Sequence, residues 1–215
     1  MDLENVGTLG NLDGISQDYP QLRHLETHGV ILVTPSDASA RFPPELRSLV
    51  LSSTSIGQRD NSPLAEVQNL VHLKSLVYTM HLIAAPARIQ KLLACDPSRN
   101  DVSQLHTFKL TVSSWDKSQI VEVISHPRLA SLQHLALLGC RELDDPVAAI
   151  IAARGKSLKT LQIPHSRITG VGLKKLILSC PSLAAFDMNG CSEISSDAVE
   201  WARQQGISVT WRLCP

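Results

Sequence analysis

A nine-residue string, Leu-x-x-Leu-x-Leu-x-x-Cys, occupies residues 132–140 as LQHLALLGC and returns at 183–191 as LAAFDMNGC. Looser copies begin at Leu22, Leu46, Leu73, Leu105 and Leu158, so seven copies start 24, 27, 32, 27, 26 and 25 residues apart. Apart from the 32-residue interval, these spacings fall in the ~20–29 residue window of leucine-rich repeats. An eighth strand, GISVTW at 206–211, closes the series. This periodicity constrains the fold more than any other feature of the chain. A strand with a Leu-x-Leu core points its apolar residues to one side and cannot bury them alone, whereas stacked copies form one continuous core.

Between the strands a second pattern recurs at helical spacing: Val67/Leu70/Val71, Ile89/Leu92/Leu93, Ile120/Val123/Ile124, Val147/Ile150/Ile151, Leu173/Leu176/Ile177 and Ala198/Trp201/Ala202. Apolar residues at i, i+3 and i+4 make one stripe on a helix. Asp145 before Pro146 reads as an N-cap followed by a first helical residue, Thr169 and Ser196 are further N-cap candidates, and Gly155 and Gly206 stand where helices end. Each unit is strand, loop, helix. The expected fold is an α/β leucine-rich-repeat solenoid, a curved parallel sheet on the concave face and helices on the convex face, with about seven repeats plus the closing strand. Residues 1–21, including a helix tail within LDGISQDYPQL at 12–22, are expected to be a partial N-terminal repeat or truncated cap, and 22–215 the repeat array.

Lys+Arg and Asp+Glu both total 20, so bulk charge does not select nucleic acid or an anionic membrane as partner. No apolar run approaches the ~18 residues of a membrane span, and the N-terminus lacks a signal-peptide pattern. Five scattered cysteines (Cys95, Cys140, Cys180, Cys191, Cys214) without a CxxC pair favour reduced thiols in the cytoplasm or nucleus. Cys140 and Cys191 share one motif position two repeats apart, which separates them by roughly 10 Å, beyond a disulfide or a shared zinc ion. Each reads as a small buried side chain where strand bends into loop, and Cys180 before Pro181 as another.

Eight histidines carry no HExxH-like spacing. His24 and His28 flank Glu26 on the first strand, but without a third firm ligand the reading is a solvated edge and no metal. GxSxG, P-loop and dinucleotide fingerprints are absent, and TGVGL at 169–173 reads as a helix start. The chain is therefore expected to be no enzyme and to need no cofactor.

Strand alternation puts motif positions 4 and 6 into the core and positions 3, 5 and 7 on the concave face. The outward set is His24, Glu26, His28; Ser48, Val50, Ser52; Ser75, Val77, Thr79; Thr107, Lys109, Thr111; His134, Ala136, Leu138; Thr160, Gln162, Pro164; Ala185, Asp187, Asn189. With one lysine this face suits a protein partner better than nucleic acid. The expected partner-binding residues are His134, Leu138, Gln162, Asp187 and Asn189, with His165 at the adjoining strand end and Lys109 as the lone cation. Of the string at 132–140, the residues most exposed to a partner are expected to be His134, Ala136 and Leu138. The insertion CDPSRNDVSQ at 95–104 is a second candidate binding loop.

The later copies resemble the cysteine-containing repeats of the F-box leucine-rich repeat proteins, through Leu132, Leu135, Leu137, Cys140 and Leu143, and Leu183, Phe186, Met188, Cys191 and Ile194. The likeness covers roughly 129–211; upstream the Cys position becomes Thr54, His81 or Ser113, and Ser166 interrupts it downstream. The resemblance implies a substrate-recognition arm of an SCF-type E3 ubiquitin ligase receptor, with a ubiquitylation substrate as the expected protein partner. The family's F-box, the tether to the SCF adaptor, is not found in the 21 residues before the first repeat, so the adaptor is an expected partner only if an F-box lies upstream. The alternative is a free-standing repeat scaffold or regulatory binding protein.

Overall fold

The computed structural model describes residues 16–28, 31–32, 42–52, 55–56, 70–79, 89–90, 93, 104–111 and 115–213. The chain divides into two compact units, 1–105 and 106–215. In the first, β1 (His24–His28), β3 (Ser48–Ser52) and β5 (Ser75–Thr79) pair in parallel, and β2 (Ile31–Leu32) pairs with β4 (Ser55–Ile56) in a short second ladder that the repeat pattern did not predict. In the second, β6 (Thr107–Thr111), β7 (His134–Leu138), β8 (Thr160–Gln162), β9 (Ala185–Asp187) and β10 (Ser208–Thr210) form a parallel run. Among the described residues four α-helices alternate with these strands: α1 (Lys117–Ile124), α2 (Asp145–Arg154), α3 (Gly170–Ser179) and α4 (Ser196–Gln204). Parallel strands joined by crossover helices are what stacked strand–helix units must produce.

The register repeats without slip. Motif position 3 meets motif position 3 at every pairing within each unit: His24 with Ser48 and Ser48 with Ser75; then Thr107 with His134, His134 with Thr160, Thr160 with Ala185, and Ala185 with Ser208. The position-2 carbonyl of one repeat accepts two N–H groups of the next. His106 O takes Gln133 N at 2.8 Å and His134 N at 2.9 Å, and Gln133 O takes Lys159 N at 2.7 Å and Thr160 N at 3.0 Å. Lys159 O takes Ala184 N at 2.9 Å and Ala185 N at 3.1 Å, and in the first unit Arg23 O and Arg47 O repeat the arrangement.

Position-4 side chains consequently stack across strands. Leu25, Leu49 and Leu76 do so in the first unit, and Phe108, Leu135, Leu161 and Phe186 in the second, all fully buried or nearly so. Each such side chain contributes about 1.5–3 kcal/mol of burial free energy. Ile124, Leu129, Leu135, Ile151 and Leu158 line one small cavity together, which places the second unit's core between sheet and helices. Behind the last strand, Trp211 donates from Nε1 to Cys191 O at 3.2 Å.

The helices lie where the stripes predict, with shifts. Ile120, Val123 and Ile124 are buried on α1, and Leu173, Leu176 and Ile177 on α3. On α2 the inward set is Val147, Ala148, Ile151 and Ala152, with Ile150 turned partly out. On α4 it is Val199 and Ala202, with Ala198 and Trp201 half-buried. Ile89 and Leu93 are helical and buried, whereas Leu70 and Val71 precede β5 in loop and turn; Val67 and Leu92 lie outside the described residues. Residues 16–18 form a helical turn within the expected 12–22 tail.

Two caps also move by one residue. Asp144, not Asp145, caps α2, its side chain accepting from Val147 N, and Ser195, not Ser196, caps α4. Thr169 caps α3 as expected, and Gly155 ends α2. Asp145 is used elsewhere. Its Oδ1 accepts Thr169 N at 2.8 Å and its Oδ2 accepts the Thr169 hydroxyl at 2.7 Å, joining the first turn of α2 to the cap of α3. Gly172 makes room for this, because a methyl there would overlap the Asp145 carboxylate.

Urea unfolding should therefore find Asp145→Ala less stable by about 1–2 kcal/mol, the scale of lost charge-assisted hydrogen bonds. Gly172→Ala should also destabilise, against the roughly 1 kcal/mol that alanine normally gains inside a helix. A more stable Gly172→Ala protein would mean that the contact is dispensable.

Candidate functional site

In the second unit the side of the sheet opposite the stacked Leu and Phe positions carries aligned rows. Thr107, His134, Thr160, Ala185 and Ser208 are successive register partners in one; Lys109, Ala136, Gln162, Asp187 and Thr210 in the next. Leu138 pairs with Thr111, and β8 ends before reaching it. Partners in one row sit about 4.8 Å apart, close enough for side chains to touch. His134 Nδ1 lies 2.8 Å from Thr160 Oγ1, so the ring is tied to the adjacent strand.

Beyond the strand ends the ladder continues through backbone bonds, His165 N to Asn189 O at 2.7 Å and Gly190 N to Arg212 O at 2.8 Å. His165 takes a left-handed backbone, φ 59°, uncommon outside glycine, and its ring lies against Gly190, where a Cβ would overlap Nδ1. Gly190 is itself left-handed at φ +71°, so two turns lock together here. Asp187 Oδ1 accepts Asn189 N at 3.1 Å, folding the chain back over the end of β9. Among the described residues the buried Asn189 side-chain oxygen has no hydrogen-bond partner, which costs stability.

These contacts gather Gln162, His165, Asp187 and Asn189 at the C-terminal ends of β8 and β9, with His134 and Leu138 on the neighbouring β7. Lys109 is not among them. Ala136 and Gln162 stand between it and Asp187, three strand spacings or roughly 14 Å away. Ala136, expected to face a partner, is 5% exposed, because its methyl is overshadowed by the longer Lys109 and Gln162 on either side. Ser208 and Thr210 extend both rows and were missed, although the same counting applied to GISVTW yields them.

In the first unit, His24 Nε2 lies 3.6 Å from Glu26 Oε2; the His28 side chain is outside the described residues. Among the described residues no three His, Cys, Asp or Glu side chains gather as metal ligands would. Residues 95–103 of the insertion, with Cys95, Cys214, Thr54, His81 and Ser113, lie outside the described residues.

Cys140, Cys180 and Cys191 are free and buried. Ser166 holds the motif position between Cys140 and Cys191, and its hydroxyl lies 3.2 Å from Cys191 Sγ, which also donates to Ile163 O at 3.4 Å. The cysteine position is thus one rung per repeat, filled by Cys, Ser and Cys. Burial pushes the Cys140 thiol up to about 12 and the Cys180 thiol up to about 11. Burial raises Cys191 as well, partly opposed by its bonds with Ser166.

No protein-family model matches the chain. Over 82 residues it is 29% identical to F-box protein FBW2 of Arabidopsis thaliana, a stretch covering 38% of this chain and 25% of that protein. The chain thus spans about a quarter of that relative's length. No helix among the described residues is long and apolar enough to cross a membrane.

With thiolate chemistry suppressed by burial, iodoacetamide at about pH 8 should label Cys140, Cys180 and Cys191 only after denaturation, as read by peptide mass spectrometry. Rapid native labelling of Cys140 would show that its repeat opens or that the thiol is not enclosed.

Proposed function

We propose that this chain is a protein-interaction module in which the aligned polar rows of the second unit hold a partner protein, and that it is the substrate-recognition arm of an SCF-type E3 ubiquitin ligase receptor. The observation that supports this most is the end of β8 and β9. The register sets Gln162 beside Asp187, and Asp187 and His165 each hold the Asn189 backbone, so side chains able to donate and to accept are fixed together there. His134, tied to Thr160, and Leu138 extend the surface with one orienting group and one apolar contact.

The mechanism is positioning. Repeats in register form a stiff, shallow surface, which suits holding a folded partner while another subunit performs the chemistry. The chain itself is read as no enzyme, acting without cofactor and away from nucleic acid and membrane, in cytoplasm or nucleus. The partial likeness to an F-box protein supports the ligase setting. Because that likeness covers 25% of the relative, a free-standing scaffold using the same face is the second reading.

Affinity capture of the full-length gene product followed by mass spectrometry separates the two: cullin and its adaptor are expected with the bait, and their consistent absence would leave the scaffold. Leu138→Arg combined with Asp187→Arg should weaken capture of the bound partner at least about tenfold, while the loss of the Asp187–Asn189 bond lowers the melting midpoint by only a few degrees and the protein stays folded. Undiminished capture by that variant would remove the sheet face as the binding surface.

A further inference from the structure

The sequence of α2, DPVAAIIAAR, is apolar on both sides. Val147, Ala148, Ile151 and Ala152 face the core, and the opposite side carries Pro146, Ala149, Ile150 and Ala153 without a charge. A helix that is hydrophobic all round is ordinarily covered all round. On α3, Val171 and Leu178 are 72% and 65% exposed. Seven residues apart, they stand on the same helix face about 10 Å from each other.

Lys174 and Lys175 lie between them in sequence and flank that line. Lys174 is steadied over the Trp201 ring of α4, 5.9 Å from its centroid. Neither lysine makes an ion pair among the described residues, while nearby Asp145 is held by Thr169 and Glu200 is paired with Arg203. Glycines let the two helices approach closely, Gly172 against Asp145 and Gly155 against Cys180. The outer sides of α2 and α3 thus form one strip, low where alanines line it, ridged by Val171 and Leu178, and edged by uncompensated positive charge.

We propose that this helix face is a second docking surface and that its occupant is an acidic amphipathic helix of a protein partner. The apolar side of that helix would lie on Ala149, Ala153, Val171 and Leu178, with its carboxylates meeting Lys174 and Lys175. Charge complementarity selects this occupant. A second copy docked face to face about a two-fold axis would set these lysines against their own copies. An anionic membrane surface is held by clusters of about 4–8 basic residues, and two lysines beside a largely uncharged helix fall short. The strip lies on the opposite side of the second unit from the polar rows, so both surfaces can be filled at once and the chain can bridge two proteins.

The test uses the full chain and a fluorescent amphipathic peptide of about 18 residues, leucines on one face and glutamates beside them, with a lysine-for-glutamate version as control. The glutamate peptide should bind, the lysine version should not, and Leu178→Asp should weaken binding at least about tenfold. Lys174→Glu with Lys175→Glu should reverse the preference, which a misfolded protein could not do. Failure of the glutamate peptide to bind, equal binding of both peptides, or indifference to Leu178→Asp would overturn the proposal. So would binding to phosphatidylserine vesicles in place of the peptide, or a concentration-dependent dimer abolished by Leu178→Asp. The sheet-face variant Leu138→Arg/Asp187→Arg should leave peptide binding unchanged, so each surface can fail without the other.

Discussion

The structure depends on one backbone contact that recurs within each unit, a carbonyl at motif position 2 that accepts two N–H groups from the following repeat. A strand can slip by one residue only if its hydrogen bonds can reform one place along, and a slip would turn every leucine to the wrong face. The shared carbonyl fixes where the next strand begins, and the buried leucines penalise any other choice. Alignment of His134 with Thr160, and of Gln162 with Asp187, follows from that register. The aligned rows are a by-product of the way the core is kept in phase.

Strand positions were legible because period-two alternation and a fixed repeat length specify face and order together. What parity cannot give is depth: Ala136 has the right parity for the open side, and its size leaves it beneath Lys109 and Gln162. The displaced caps have a related cause. Asp144-Asp145 and Ser195-Ser196 are doublets in which either residue can cap, and local propensity does not separate them. In the first doublet the decision is tertiary, since Asp145 is drawn to Thr169 and leaves the cap to Asp144. The strand-end cluster was legible as a list of residues and not as an arrangement, because the left-handed backbone of His165 depends on Gly190 one repeat away.

The two faces of the second unit differ in kind. The sheet side offers hydrogen-bonding groups in rows and suits a partner recognised by polar detail. The helix side offers alanines, two exposed aliphatic residues and two lysines, and suits a partner recognised by shape and charge. Recognition on one side need not disturb the other, since the core between them is packed with leucine, isoleucine and phenylalanine that tolerate little displacement.

The contact between α2 and α3 is closed near one end by Asp145 against Gly172 and near the other by Gly155 against Cys180. Each closure pairs a bulkier group from one repeat with a glycine from its neighbour, so each half is useless without the other. These repeats are therefore not interchangeable parts. Duplicating one of them, or grafting it into a different array, would carry over a projection without its recess, so this stretch is transplantable only as a matched pair.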